Sequence, residues 1–207
     1  MKILCAAAIL LAGCLSASGQ SEAACGQTLE APLRPRAVLT IDSRPAGLEI
    51  VGTDEPFMHV SCSSDSEEGA EPIRLRFSGN QDDGKLSVAG GSFHTNNLHI
   101  RIEVPRKTNL KVLMSAGQVK VEEVAGDKDI DIYAGQITIS SDRLWDYRRV
   151  DVSVTIGQVR AQVYGADKGG FFRSFTKQTS DGEYCLRAHV TTGQIELLGS
   201  HKPEAAE

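Results

Sequence analysis

The sequence predicts an all-β protein: a β-solenoid-like stack of short strands, of the single-stranded β-helix type, less regular in its N-terminal half. A unit of strand, small residues, Gly-Gln and strand recurs after residue 108, with its glycines at 117, 135, 157 and 193. Within each unit apolar and polar residues alternate with period two, the pattern of a half-buried strand. Aromatic residues are only 5% of the 207, against 41% hydrophobic overall, so the core must be filled by Val, Ile, Leu and Ala.

The chain opens with Lys2 and an apolar run from Ile3 to Ala12. Ten apolar residues are too few to cross a hydrocarbon core of about 30 Å as a helix, so the run reads as the core of an export signal. It ends in Leu11-Ala12-Gly13-Cys14, which resembles the bacterial lipobox. On that reading residues 1–13 are a lipoprotein signal peptide and Cys14 is the lipidation site. The competing reading is cleavage by the ordinary signal peptidase after Ala17-Ser18-Gly19 or Ala23-Ala24. Leu15, not Asp, follows Cys14, which by resemblance to the enterobacterial sorting rule favours the outer membrane in a Gram-negative cell. The expected location is therefore the bacterial cell envelope, with the membrane met through the N-terminal lipid and the domain facing the periplasm or the cell surface. Residues 14–36 are small, polar and Pro-containing and read as a tether.

Cys5 leaves with the signal and Cys14 takes the lipid, so Cys25, Cys62 and Cys185 remain. Export permits a disulfide, but three thiols cannot all pair internally. Cys25–Cys62 and Cys25–Cys185 would each staple the tether to the domain. No Cys/His spacing suits zinc, so neither a metal nor a cofactor is expected.

One β-domain is expected over residues 37–200. Its first half holds looser strands at Ala37–Ile41, Gly47–Val51, Phe57–Cys62, Ile73–Phe77 and Leu98–Val104, and Pro105 and Lys107–Asn109 punctuate the passage to the regular part. The repeats follow at Asn109–Val121, Asp129–Ile139, Val150–Ala161 and Leu186–Leu197. Their glycines step by 18, 22 and 36 residues, the last being two steps of 18. Leu110, Val112 and Met114 share one face, as do Val150, Val152, Val154 and Ile156. A glycine at the same point of every unit suits a bend or a positive φ. One unit cannot bury its own face, so neighbours must stack. Two stretches break the period, residues 142–149 with the only Trp and residues 165–182. Both read as corner insertions projecting from one side of the stack. Residues 201–207 read as a frayed tail.

These features together resemble the bacterial putative-adhesin family: extended N-terminal strands, a segment like Leu98–Pro105, then units of strand, Gly-polar-Val/Ile and strand, covering residues 38–198. The resemblance implies a secreted or surface β-solenoid-like protein without known catalysis. Family members more often carry Asp or Asn after the repeat glycine. Here Gln118, Gln136, Gln158 and Gln194 stand there, which argues against a carboxylate calcium site at the turns.

The four glutamines, next to Gly117, Gly135, Gly157 and Gly193, occupy equivalent positions, so a stack sets them about 4.8 Å apart. They read as an amide ladder satisfying its own neighbours, or else as a polar stripe on which a glycan or partner strand docks. Phe171, Phe172 and Phe175 read as a cap on the core, with an exposed apolar lip as the alternative. Arg74, Arg76 and Arg101 alternate outward on two strands. On adjacent strands they would form a surface for an anionic glycan or lipid headgroup, and otherwise they pair with neighbours such as Glu49 and Glu103.

The formal charge of −5 and pI near 5.6 argue against nucleic acid as a partner. No nucleophile elbow, metalloprotease motif or phosphate loop is present in the sequence, and no His can be set beside a nucleophile. The expected function is a non-enzymatic, lipid-anchored envelope protein, an adhesin or binding scaffold for protein or polysaccharide. The alternatives are a structural or regulatory module binding other envelope proteins, and a carbohydrate-active β-helix enzyme.

Overall fold

The computed structural model describes residues 19–64, 73–90 and 97–199. The signal segment, Cys14 and the tail at 201–207 lie outside them. The described chain is all-β and forms one large, open, mixed sheet. Its strands are β1 (Gly19–Ala24), β2 (Leu29–Pro32), β3 (Val38–Ser43), β4 (Ala46–Thr53), β5 (Phe57–Ser63), β6 (Arg74–Gly79), β7 (Asp83–Ala89), β8 (His99–Pro105), β9 (Asn109–Glu122), β10 (Lys128–Ser140), β11 (Tyr147–Ala161), β12 (Ala166–Gln178) and β13 (Tyr184–Leu198).

The long strands bend, and the bend explains the repeat. In β9 Leu110, Val112 and Met114 are buried, and then Val119 and Val121 are, so the buried parity changes from even to odd at Gly117. An unbroken strand would turn its second half to the opposite face. Gly117 has φ +124°, and its counterparts in β10, β11 and β13 have φ +142° to +145°. This left-handed twist shifts the phase by one residue, so both arms of each strand bury the same side of the sheet in one continuous core.

At β9 the sheet forks. The first arm of β9 pairs with β3, and the sheet continues through β7 and β6 to β1. The second arm pairs with β4 and continues through β8 and β5 to β2. Ala46 lies opposite Gly117, so β3 and β4 are the two arms of a fifth unit in which Ala46-Gly47 replaces Gly-Gln.

Three sequence expectations are corrected. The repeats do not lie in chain order: β13 sits between β10 and β11 and runs parallel to both. The chain crosses residues 141–146, leaves one place open, lays down β11, turns back through Gly165 into antiparallel β12, and only then fills the gap with β13. The two expected corner insertions are therefore part of the frame. The first is a 3-10 turn over Leu144–Asp146 that buries Leu144 and leads into buried Tyr147, and most of the second is the edge strand β12. Residues 19–36 are not tether: β1 and β2 are sheet strands, and Leu29, Ala31 and Leu33 are buried. Of the two cysteine pairings left open, the structure forms Cys25–Cys62, which joins the turn after β1 to β5, and Cys185 is free.

Candidate functional site

The bends align across the sheet. Gly117 is opposite Gly135, Gly135 opposite Gly193, and Gly193 opposite Gly157, so the glycines form one column. A Cβ on Gly135 would lie 1.8 Å from the carbonyl oxygen of Gly117, and one on Gly157 would lie 1.7 Å from that of Gly193. Only glycine permits this backbone approach. Each following glutamine inherits the alignment, giving a row in the order Gln118, Gln136, Gln194 and Gln158.

Together the two columns line a shallow groove of about 630 Å³ on the outer side of the bend. Among the described residues no hydrogen bond joins one of these amides to the next. Gln136 Nε2 donates to Thr138 Oγ1 at 3.3 Å and Gln158 Nε2 donates to Asp167 at 2.7 Å. The row is thus a set of side-chain amides facing outward, which leaves acceptor oxygens and donor protons for a guest.

Gln118 also lines a second cavity of about 390 Å³, with Gly47, Glu49, Ser61, His99, Arg101 and Lys120. Its floor is a cross-strand charge row. Lys120, Glu49 and Arg101 are successive partners on β9, β4 and β8. Arg101 donates to Glu49 at 2.7 Å and to Glu103 at 3.1 Å, and these bonds, that to Glu49 first, hold its guanidinium pKa above the ordinary value. Lys120 lies 2.7 Å from Glu122 and 3.7 Å from Glu49, and the hydrogen bond to Glu122 raises its pKa most. The groove and this cavity share Gln118 and make one polar surface along the second arms.

The three arginines do not share a surface. Arg74 and Arg76 are on β6, Arg101 is on β8, and these strands belong to different branches of the fork. Arg74 and Arg76 both bond Glu22 of β1, at 2.8 and 2.9 Å, and these bonds, Arg74 first, hold its carboxyl below the usual range. The phenylalanines do not cap the core: Phe171 and Phe172 are 67% and 81% exposed, and Phe175 alone packs inward, stacked on Tyr164 at 5.5 Å.

Two features escaped the sequence reading. The fifth unit was hidden because Ala46-Gly47 lacks the Gly-Gln signature. A serine and a histidine also meet: Ser153 Oγ is 3.0 Å from His189 Nδ1, and Asp131 is the next residue in that cross-strand row. Both partners stand in line on an outer sheet face, reached from strands 36 residues apart.

No family model matches the sequence, and no curated protein matches it. One solved structure shares the fold. It is described as a "putative cell adhesion protein" from Clostridium sporogenes, is 13% identical, and aligns over 84% of this chain and 99% of its own with a TM-score of 0.51. A second, a "Putative lipid binding protein" from Parabacteroides distasonis, is 8% identical over 84% of this chain and 94% of its own, with a TM-score of 0.19.

Proposed function

We propose that this chain is a non-enzymatic, lipid-anchored cell-envelope protein that serves as an adhesin or binding scaffold, with the glycine–glutamine groove as the place where an extended polysaccharide lies. The observation that carries the reading is the row of four outward amides at strand spacing, continuous through Gln118 with the Lys120–Glu49–Arg101 cavity. Amides on a fixed lattice suit the repeating hydroxyls of a glycan, and a rigid sheet loses little freedom on binding. The disulfide fits an exported protein. Glu49, the carboxylate lining the adjoining cavity, is committed to an ion pair with Arg101, which suits a binding surface better than acid–base chemistry. The frame fits a short solenoid: β9 and β10 pair in parallel with an offset of 18 residues, one coil apart, and the out-of-order β13 is the departure from that pattern. The shared fold with a protein described as a cell adhesion protein joins this support.

The test is a Gln136→Ala/Gln194→Ala variant applied to an array of bacterial surface polysaccharides. The expected result is lost retention with an unchanged circular dichroism spectrum. Binding equal to wild type would remove the groove from the function, and an unfolded variant would make the amides structural. Protease treatment of intact cells separates the two envelope roles: a domain cut only after lysis is an internal module binding other envelope proteins and not an adhesin. Mass spectrometry of the mature N-terminus tests the anchor, and an unmodified Cys14 overturns it.

A further inference from the structure

β12 ends the trunk, since among the described residues its only sheet partner is β11. Lys168, Phe171, Arg173, Phe175 and Lys177 lie opposite Val159, Ile156, Val154, Val152 and Val150, so cations and rings stand in β12 where β11 has Val and Ile. No carboxylate is among the five. The one acid of the strand, Asp167, lies opposite Arg160 on the other face and accepts from Gln158. Phe175 and Lys177 seal the end of the core: Phe175 stacks on Tyr164 at 5.5 Å, and the Lys177 ammonium lies 4.3 Å from the centre of the same ring. The others project at the bend. Phe171 and Phe172 are exposed between Lys168 and Arg173, and Ile156, opposite Phe171, is exposed beside them.

Two bonds hold the cations beside the rings. Lys168 Nζ donates to the carbonyl of Ser174 at 3.0 Å and Arg173 Nε to that of Gly169 at 2.8 Å, and neither cation meets a carboxylate among the described residues. The same side chains make the edge a poor one for a further strand. At Gly135 and Gly157 the space of a Cβ holds the backbone of the next strand, whereas at Gly170 it holds the Arg173 guanidinium, Nη2 at 3.1 Å and Nε at 3.2 Å. What the bend offers is therefore side chains and not a ladder. In a chain of formal charge −5 it is an apolar tip ringed by positive charge. Both features draw a protein to an anionic bilayer: exposed rings enter the boundary between headgroups and acyl chains, and Lys and Arg remain at the phosphates.

We infer that the bend of β12 docks on an anionic lipid surface, with Phe171, Phe172 and Ile156 entering the headgroup boundary and Lys168 and Arg173 meeting the phosphates. The contact is independent of what the groove binds and of the lipid at Cys14. It is tested by vesicle flotation with the chain from residue 14 onward, carrying Cys14→Ser so that no acyl chain contributes. That chain is expected to float with vesicles of phosphatidylglycerol and phosphatidylcholine in equal parts, to stay behind with phosphatidylcholine alone, and to lose binding as salt is raised. Phe171→Ser/Phe172→Ser and Lys168→Gln/Arg173→Gln should each lower the partition coefficient about tenfold or more with an unchanged circular dichroism spectrum. Tyr133→Ser, which removes a ring as exposed as Phe171 from another strand, should leave it unchanged. No flotation with the anionic vesicles, equal flotation with both kinds, or binding that survives loss of both phenylalanines or both cations would each overturn the inference. A tip that binds an acidic protein and no vesicle would overturn it too.

Discussion

At the bend of each long strand a single methyl group is too much. Gly135 combines φ +142° with a neighbouring carbonyl oxygen 1.8 Å from where a Cβ would sit, and that neighbour is backbone, which cannot swing aside. Gly135→Ala should cost about 3 kcal/mol or more in chemical denaturation. Gly169→Ala, whose Cβ would meet nothing nearer than 4.0 Å, should fall within about 0.5 kcal/mol of wild type. Lys128 is the other residue on which the frame leans. Its buried ammonium donates to the carbonyls of Val124 at 2.7 Å and Gly126 at 3.3 Å and to the Tyr147 hydroxyl, tying the turn between β9 and β10 to the start of β11. Burial pulls its pKa down from 10.5 to about 7. Between those values the unfolded chain holds a proton that the folded chain does not, so this group makes stability rise with pH across that window and level off below it. The stability difference between wild type and Lys128→Met should therefore grow in favour of wild type from pH 7 to pH 10. Ser153 and His189 need their own check. On a non-enzymatic reading the pair is a cross-strand hydrogen bond, and a fluorophosphonate probe should leave Ser153 unlabelled. Labelling that Ser153→Ala abolishes would mark a nucleophile.

Among the elements, the N-terminal pair β1 and β2 shows how a polar, Pro-containing segment can be held. Each covers the end of one branch of the fork, and the Cys25–Cys62 disulfide, closing 37 residues, secures the turn between them. Reducing it, or replacing both cysteines by serine, should lower stability by about 3–4 kcal/mol in equilibrium denaturation without disturbing the trunk from β9 to β13. This segment also marks where the sequence stopped being legible. The four glycine–glutamine units were readable because period-two alternation and a fixed glycine are both local signals. β1 and β2 were not, since Gly19–Ala24 has no apolar alternation and is held by pairing with β6. β7 was hidden by Asp83-Gly84 at its start, where glycine is needed because a Cβ would lie 2.5 Å from the Phe77 ring. The glutamine row followed directly from the repeat, whereas its order and its meeting with Glu49 and Arg101 depend on which strands pair. Alternation tells which way Arg74, Arg76 and Arg101 point. It does not tell that β6 and β8 lie on separate branches.

Over the whole molecule, the sheet has one N-terminal boundary split between β1 and β2 and one C-terminal boundary at β12. No helix among the described residues is long and apolar enough to cross a membrane. β1, the first described strand, lies at the opposite end of the strand order from β12. The place of β13 has a further consequence, and it concerns time. A chain is made from its N-terminus, and most stacked folds could zip up behind the advancing chain. Here the central slot between β10 and β11 stays vacant until the last strand arrives. The β11–β12 hairpin can form early, but it has nothing to dock against until Tyr184–Leu198 is delivered. Closure of the trunk is thus postponed until the last strand is available, and a chain cut short before residue 184 would carry two raw edges where its middle should be.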